Sequence, residues 1–462
     1  MFRIFFILLL EVVLANAQKL PSAVQSILKR NPRVHWGIHA VQLKTGRVLV
    51  SMNADQYFVP ASNMKLFSTA FALETLGTEH RFTTRVLSAT PIDTQGSLAG
   101  DLILQGGGDP SLSSRRHPYQ QENPFAEDRL LPLRELARQL RERGVRFIRG
   151  QIVGDDSMYK LDPIPNGWAA DDGVFEYGAP VSALSFNDNI FGLRATSGAT
   201  QLSPAVEYFS ILNELRNVET LPRKVLASRA VGSRVLRLSG NIPPRAKEYS
   251  NDFAVDEPAL YAATAFREVL LEEGIRVDGE AVVRHLAPAT LESIELARRD
   301  SPPLPLLLQV VDKVSQNLHA ELVLRAATQK RPLANFLQQT GIAEQDTNFE
   351  DGSGMSRLSL VTPKAVVQLL RYMSQQKNFE LFRSLLPVGA QDGTLRNRFD
   401  RSPQAIRIQA KTGSLTHISA LAGYADSKRH GPIAFQVIAN NSNAPSQEVR
   451  AAIDRIALAL LQ

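Results

Sequence analysis

The sequence predicts an α/β fold in which helices pack on a central antiparallel sheet, with the catalytic domain split across both ends of the chain and carrying inserted smaller domains. Three observations predict it. Residues 405–440 read as closely spaced antiparallel strands, followed by a helix whose Val449, Ile453, Ile456 and Leu460 share one face and should cover that sheet. His35 to Asn53 reads as a hairpin that gives way, after Pro60, to a long apolar helix. Between these ends the texture changes to short strands and Gly/Pro-rich turns. The expected division is 1–17 export signal, 18–86 first part of the catalytic domain, 87–290 inserted domain or domains, and 291–462 second part.

Taken in order, Arg3 begins a short positive start, Ile4 to Leu14 is apolar apart from Glu11, and Ala15-Asn16-Ala17 is a small-x-small cleavage pattern. This predicts a cleaved signal and an extracytoplasmic protein. The apolar run is short for a membrane span, so no stable transmembrane anchor is expected; a retained N-terminal anchor is the alternative. Val41, Leu43, Val48 and Val50 flank the hairpin turn Lys44-Thr45-Gly46. Phe67, Ala70, Phe71 and Leu76 then recur at helical spacing and Gly77 closes the helix, which puts Ser62 in its first turn and Lys65 on the same face. In the middle region Asp101 to Leu104 and Val231 to Leu238 read as strands, and Pro258 to Gly274 contains a helix. Ser301-Pro302-Pro303 introduces an apolar run, Ser315 to Ala327 reads as helix, Thr362-Pro363 opens another, and Ser446 should cap the last.

Composition narrows the chemistry. With 462 residues and 44% hydrophobic content the chain can build a large core. Its 52 Lys and Arg against 46 Asp and Glu give a net charge of +6, scattered without an arm or stripe, so nucleic acid is not an expected partner. The absence of cysteine excludes thiol nucleophiles, disulfides and thiolate metal sites. His35 and His39 are spaced like helix neighbours, but their segment reads as strand and no H-E-x-x-H motif exists, so no metal or other cofactor is expected. No pair of carboxylates is marked for glycoside hydrolysis.

A serine followed three residues later by lysine occurs at Ser26/Lys29, Ser62/Lys65 and Ser157/Lys160. Only Ser62 stands at the mouth of a long apolar helix, where backbone N–H groups favour developing negative charge. Lys65 is then the candidate base for Ser62. A free lysine is about three pKa units too basic for that at neutral pH, a penalty of roughly 4 kcal/mol, which burial or a second cation can remove. Lys411-Thr412-Gly413, followed by Ser414, offers that cation on a strand, with hydroxyls beside it and a glycine that keeps the cleft open; the same letters at Lys44-Thr45-Gly46 fall in a hairpin turn. Ser315-Gln316-Asn317 supplies a hydroxyl for proton relay and an amide to orient the lysine. Its spacing recurs at Ser51/Asn53, Ser185/Asn187 and Ser239/Asn241, but only Ser315 combines a helical setting with a position between the Ser62 helix and the Lys411 strand.

Pro60-Ala61-Ser62-Asn63-Met64-Lys65, Ser315-Gln316-Asn317-Leu318-His319-Ala320-Glu321 and Lys411-Thr412-Gly413-Ser414 resemble the three motifs of the serine-type D-Ala-D-Ala carboxypeptidases of the low-molecular-mass class C penicillin-binding proteins, peptidase family S13. Gly106-Gly107-Gly108-Asp109-Pro110, Asp351-Gly352-Ser353-Gly354-Met355-Ser356-Arg357 and Gly393-Thr394-Leu395 extend the resemblance over essentially the whole mature chain. It implies a penicillin-binding, serine β-lactamase-like domain with insertions between its first two motifs. It implies release of terminal D-alanine from peptidoglycan stem peptides, cleavage of D-alanyl cross-links, and acylation by β-lactam antibiotics. In that picture Ser62 forms the acyl-enzyme, Lys65 takes its proton, and Ser315, Asn317 and Lys411 organise proton transfer. Thr412, Gly413 and Ser414 line the substrate, the first and last binding its terminal carboxylate, and the backbone N–H groups of Ser62 and Ser414 form the oxyanion hole. Asp155 and Arg357 fall where a diaminopimelate side chain would be read. A serine β-lactamase and a non-catalytic wall-binding protein are the rivals.

Overall fold

The computed structural model describes residues 21–219, 223–243, 248–287 and 293–462. The export signal expected over 1–17, with its Glu11, lies outside the described residues. The chain forms two compact units: one takes in the N-terminal residues to Phe71, Asp312–Ser315 and Pro332–Gln462, the other Ala72–Val311 and Gln316–Arg331.

The first unit is built on a five-stranded antiparallel sheet ordered Ile408–Leu415, Ile418–Ser427, Gly431–Asn440, His35–Gln42 and Val48–Met52. Tight turns make the local pairings. Gly46 and Gly431 adopt the positive φ that such turns require, at 71° and 68°. The non-local pairing sets His35 opposite Asn440, so the two ends of the chain meet in the middle of the sheet. Strand alternation puts Trp36, Ile38 and Ala40 on one face, where they pack with Val449, Ile453, Ile456 and Leu460 of the terminal helix Ser446–Ala459 and with Val24 and Ile27 of Ser22–Lys29. On the other face, a side chain at Gly37 would collide with Phe58 and with Pro363, which opens the helix Pro363–Met373. That helix is capped as expected, Thr362 Oγ1 accepting from the Ala365 N–H at 3.1 Å. The terminal helix is not: Pro445 occupies the N-cap position, and the Ser446 hydroxyl instead accepts from Arg450 at 3.2 Å.

The second unit has its own core, in which the helices Leu131–Glu142 and Pro258–Glu272 bury Leu133, Leu136, Leu140, Phe266 and Val269. Its largest sheet runs Ala281–Arg284, Ile152–Asp155, Leu102–Gln105, Thr83–Ser88 and Ile294–Asp300, parallel between the first three and antiparallel between the last three. The boundary drawn at 86/87 from sequence falls inside Thr83–Ser88, and Ile294–Asp300 pairs with that strand. The strand expected from Val231 starts later, at Val235. Gly232, with φ of 73°, and the Ser233 hydroxyl, which accepts from the Val235 N–H at 3.1 Å, hold the preceding residues in a turn.

Candidate active site

Pro60 leads into a single 3₁₀ turn, Ala61–Asn63, that feeds the helix Met64–Leu76. The turn is forced by its surroundings. Ala61 sits at φ 47°, a conformation costly for an L-residue, and Gly354 packs so closely that a β-carbon there would lie 1.9 Å from the Ala61 carbonyl oxygen. The opposite side is close too, though less so: a β-carbon on Gly413 would meet the Pro60 carbonyl oxygen at 2.9 Å. Gly413 thus lets the strand Ile408–Leu415 approach the turn that carries Ser62, a packing role beside the open cleft inferred from sequence.

Within this frame Lys65 is fully buried, and its Nζ donates to Ser62 Oγ at 2.9 Å and to the Ser353 carbonyl at 2.7 Å. Ser62 itself is only half-buried. The two side chains lie one helical turn apart, and the alignment follows from i, i+3 spacing on a rigid helix. Of the competing pairs, Ser26 donates to its own helix at Ser22 O, and the Ser157 N–H caps onto Asp155.

A second couple stands in the same unit. Lys411, also without exposure, donates from Nζ to Ser315 Oγ at 2.8 Å and to the Thr412 carbonyl at 2.9 Å. Burial pulls the Lys411 ammonium down to about 8, against the opposing pull of Asp312. Ser315 is not helical as expected. It occupies a turn at φ 65°, and the helix Asn317–Thr328 begins two residues later, after Gln316 as N-cap. The turn is pinned from a distance. Lys313 Nζ bonds Asp392 at 2.6 Å and the Leu386 carbonyl at 2.7 Å, and Gly393 abuts the Lys313 carbonyl with no room for a side chain. The next residue, Thr394, accepts from Thr412 Oγ1 at 2.8 Å, which fixes the Thr412 rotamer. Ser414 is exposed at the end of the same strand. Arg357 is exposed and donates to the Thr416 carbonyl at 3.2 Å.

The remaining candidates belong to the second unit. Asn317 donates to the Tyr177 carbonyl at 2.8 Å. Asp155 ends the strand Ile152–Asp155, is 1% exposed, and lies 3.5 Å from Arg284 while accepting the Ser157 N–H. His35 stacks on Phe58, and as residues four apart on one strand His35 and His39 stand about 13 Å apart, too far to share a metal.

Sequence reasoning missed the residues that hold the site together. Asn63, fully buried, donates to the Lys411 carbonyl at 2.8 Å and accepts from Gln436 at 3.1 Å, joining the Ser62 turn to two strands of the sheet. Asp351 gathers the Gly354 and Ser356 N–H groups and the Ser353 and Ser359 hydroxyls, shaping the loop that presents the Ser353 carbonyl to Lys65. The only sequence signal for either is a polar residue embedded in a motif, Asn63 between Ser62 and Lys65 and Asp351 at the head of residues 351–357.

The family model described as "D-Ala-D-Ala carboxypeptidase 3 (S13) family" matches residues 20–460. The D-alanyl-D-alanine carboxypeptidase of Actinomadura sp. strain R39 is 30% identical over 443 residues, spanning 89% of this chain and 78% of that protein. D-alanyl-D-alanine carboxypeptidase DacB of Haemophilus influenzae is 26% identical over 421 residues, spanning 86% and 84%. The crystal structure of penicillin binding protein 4 from Haemophilus influenzae matches the fold with a TM-score of 0.82 at 24% identity, covering 96% of this chain and all (100%) of that one.

Proposed function

The chain belongs to the D-Ala-D-Ala carboxypeptidase 3 (S13) family, and from that membership together with the geometry around Ser62 we infer a serine-type D-Ala-D-Ala carboxypeptidase that works through an acyl-enzyme. The observation that carries the reading is the 2.9 Å bond between Lys65 Nζ and Ser62 Oγ on a fully buried lysine. In the neutral form Lys65 accepts the Ser62 proton as Oγ attacks the carbonyl carbon of the penultimate D-alanine. The oxyanion forms against the backbone N–H groups of Ser62 and Ser414. The Ser315 hydroxyl, held by Lys411, relays a proton to the departing amine, and the C–N bond breaks to release D-alanine. Water then attacks the ester and frees Ser62. Thr412 and Ser414 hydroxyls receive the terminal carboxylate, with Lys411 as its electrostatic partner. Asn317 orients the reacting groups, and the exposed Arg357 reads a carboxylate on the substrate side chain.

The same chemistry extends to D-alanyl cross-links, where the leaving amine belongs to a second stem peptide, and to β-lactams, whose strained amide acylates Ser62. Export by a cleaved signal places the enzyme in the periplasm or another extracytoplasmic space, where peptidoglycan is found. Residues 87–290 are read as the segment inserted between the first two motifs. Among the described residues no helix is long and apolar enough to cross a membrane.

Purified protein incubated with a fluorescent penicillin and with a peptide ending in D-alanyl-D-alanine tests the reading. Labelling at Ser62 with release of D-alanine is expected. Labelling followed by rapid β-lactam turnover points to a lactamase, and neither labelling nor release sinks the catalytic reading. Product analysis on defined muropeptides separates terminal trimming from cross-link cleavage.

A further inference from the structure

The helix Leu304–Lys313 is an apolar run that ends in two charges. Lys313 is matched by Asp392. Asp312 is not matched in that way. It has no exposure, and neither carboxyl oxygen receives a hydrogen bond. The Thr69 hydroxyl faces it but donates to the Lys65 carbonyl at 2.8 Å. A carboxylate in the last turn of a helix also meets the negative end of the helix dipole. Such a group is costly to bury, by several kcal/mol per ion, unless opposite charge stands close by. The charges that act on it come from three elements: Lys411 on the strand Ile408–Leu415, Lys65 on the helix Met64–Leu76, and Lys313 on its own helix; Ser315, whose hydroxyl Lys411 holds at 2.8 Å, follows Asp312 by three residues.

Lys411 has the complementary problem. Its buried Nζ is hydrogen-bonded to neutral acceptors, the Ser315 hydroxyl and the Thr412 carbonyl. A carboxylate can support the ammonium without taking up one of its three N–H groups. One that acts through space supports the ammonium and leaves its N–H groups aimed where they are. We propose that Asp312 is a positioning residue for acylation, a buried through-space counter-charge that keeps Lys411 an ammonium and so keeps the Lys411–Ser315 couple in working form.

This rests on the reading of Ser62 as the acylated nucleophile. The protonation balance of the pair agrees with it: burial lifts the Asp312 carboxyl to about 7, against the opposing charges of Lys411, Lys65 and Lys313. Burial lowers Lys411 to about 8, and the Asp312 charge raises it. Removing that charge must therefore lower Lys411 further.

The test is the second-order rate of acylation of the full chain by a fluorescent penicillin, followed from pH 6 to 10 in the wild type, Asp312→Asn and Asp312→Ser. The wild-type rate should fall on the alkaline side through about 8. In either variant that limb should move about one unit to lower pH, so the rate drops about fivefold at pH 8 and stays within about twofold of wild type at pH 6. A purely structural residue would lower the rate by the same factor at every pH, and melting temperature monitors the fold. A folded variant whose alkaline limb coincides with the wild type overturns the proposal. If neither variant folds, infrared difference spectra of the wild type decide: a buried carboxyl band must disappear as pH rises through about 7, and its absence overturns the proposal. A wild type that takes no label at any pH defeats the acyl-enzyme reading itself, an outcome distinct from an unshifted limb.

Discussion

Ser62 and Asn63 are adjacent in sequence and do opposite work: one side chain is half-buried, the other is fully buried against the sheet. Ser62→Ala should abolish both penicillin labelling and D-alanine release while leaving the melting temperature unchanged, because a half-exposed hydroxyl contributes little to packing. Lys65→Ala should slow acylation severely and also cost stability, since Lys65 fills buried space and holds the Ser353 carbonyl. Asn63→Ala removes two buried hydrogen bonds and leaves the Gln436 amide without its Asn63 acceptor. We expect it to lose about 2–4 kcal/mol of unfolding free energy by denaturant titration. A smaller loss would mean that water or a shifted Gln436 replaces the bonds.

At the scale of elements, close approach sets the geometry of the Ser62 turn, and glycines separate the two costs involved. Gly77 and Gly354 have similar positive φ, 83° and 79°, but a β-carbon at Gly77 meets nothing within 4 Å, whereas at Gly354 it strikes the Ala61 carbonyl. Gly77→Ala should therefore cost only the backbone term, about 1–2 kcal/mol, with acylation unchanged. Gly354→Ala carries that term and displaces the turn beneath Ser62, so acylation should fall by at least about tenfold, since small misplacements of a reacting atom are costly. Equal acylation rates in the two variants would show that the turn does not depend on this contact. The contrast also marks what the sequence makes legible. The hairpin, the Ser62 helix, the last three strands and the terminal helix are local patterns, and periodicity and turn residues reveal them. The Ser315 turn is held by Asp392, Leu386 and Gly393, some eighty residues away, so its local sequence reads as the start of a helix. The Thr83–Ser88 strand likewise finds Ile294–Asp300 across a separation that no local signal encodes. Asn63, Asp351 and Asp312 act through buried polar contacts and charge, which become visible only when their partners are in place. In the sequence Asp312 is only a charge closing an apolar run three residues before Ser315.

For the whole molecule the relevant quantity is the net charge of +6, which removal of residues 1–17 leaves unchanged because Arg3 and Glu11 leave together. A field of this size acts over roughly a Debye length, about 10 Å at 0.1 M salt and about 30 Å at 0.01 M. Charge of this reach favours an extended anionic surface over one small peptide. The two lysine–serine couples differ in scale: Lys65 and Lys411 are fully buried and act over bonds of 2.9 and 2.8 Å, distances at which mobile ions screen little. The two levels should respond separately to salt. Co-sedimentation with purified peptidoglycan sacculi should weaken markedly between about 0.01 M and 0.3 M sodium chloride, as the screening length shrinks several-fold. Acylation by penicillin over the same range should change by less than about twofold. Salt-independent sedimentation would place wall attachment in specific contacts and leave the surplus charge without a role in it. A parallel fall in acylation would mean that solvent ions reach the lysines that the fold encloses.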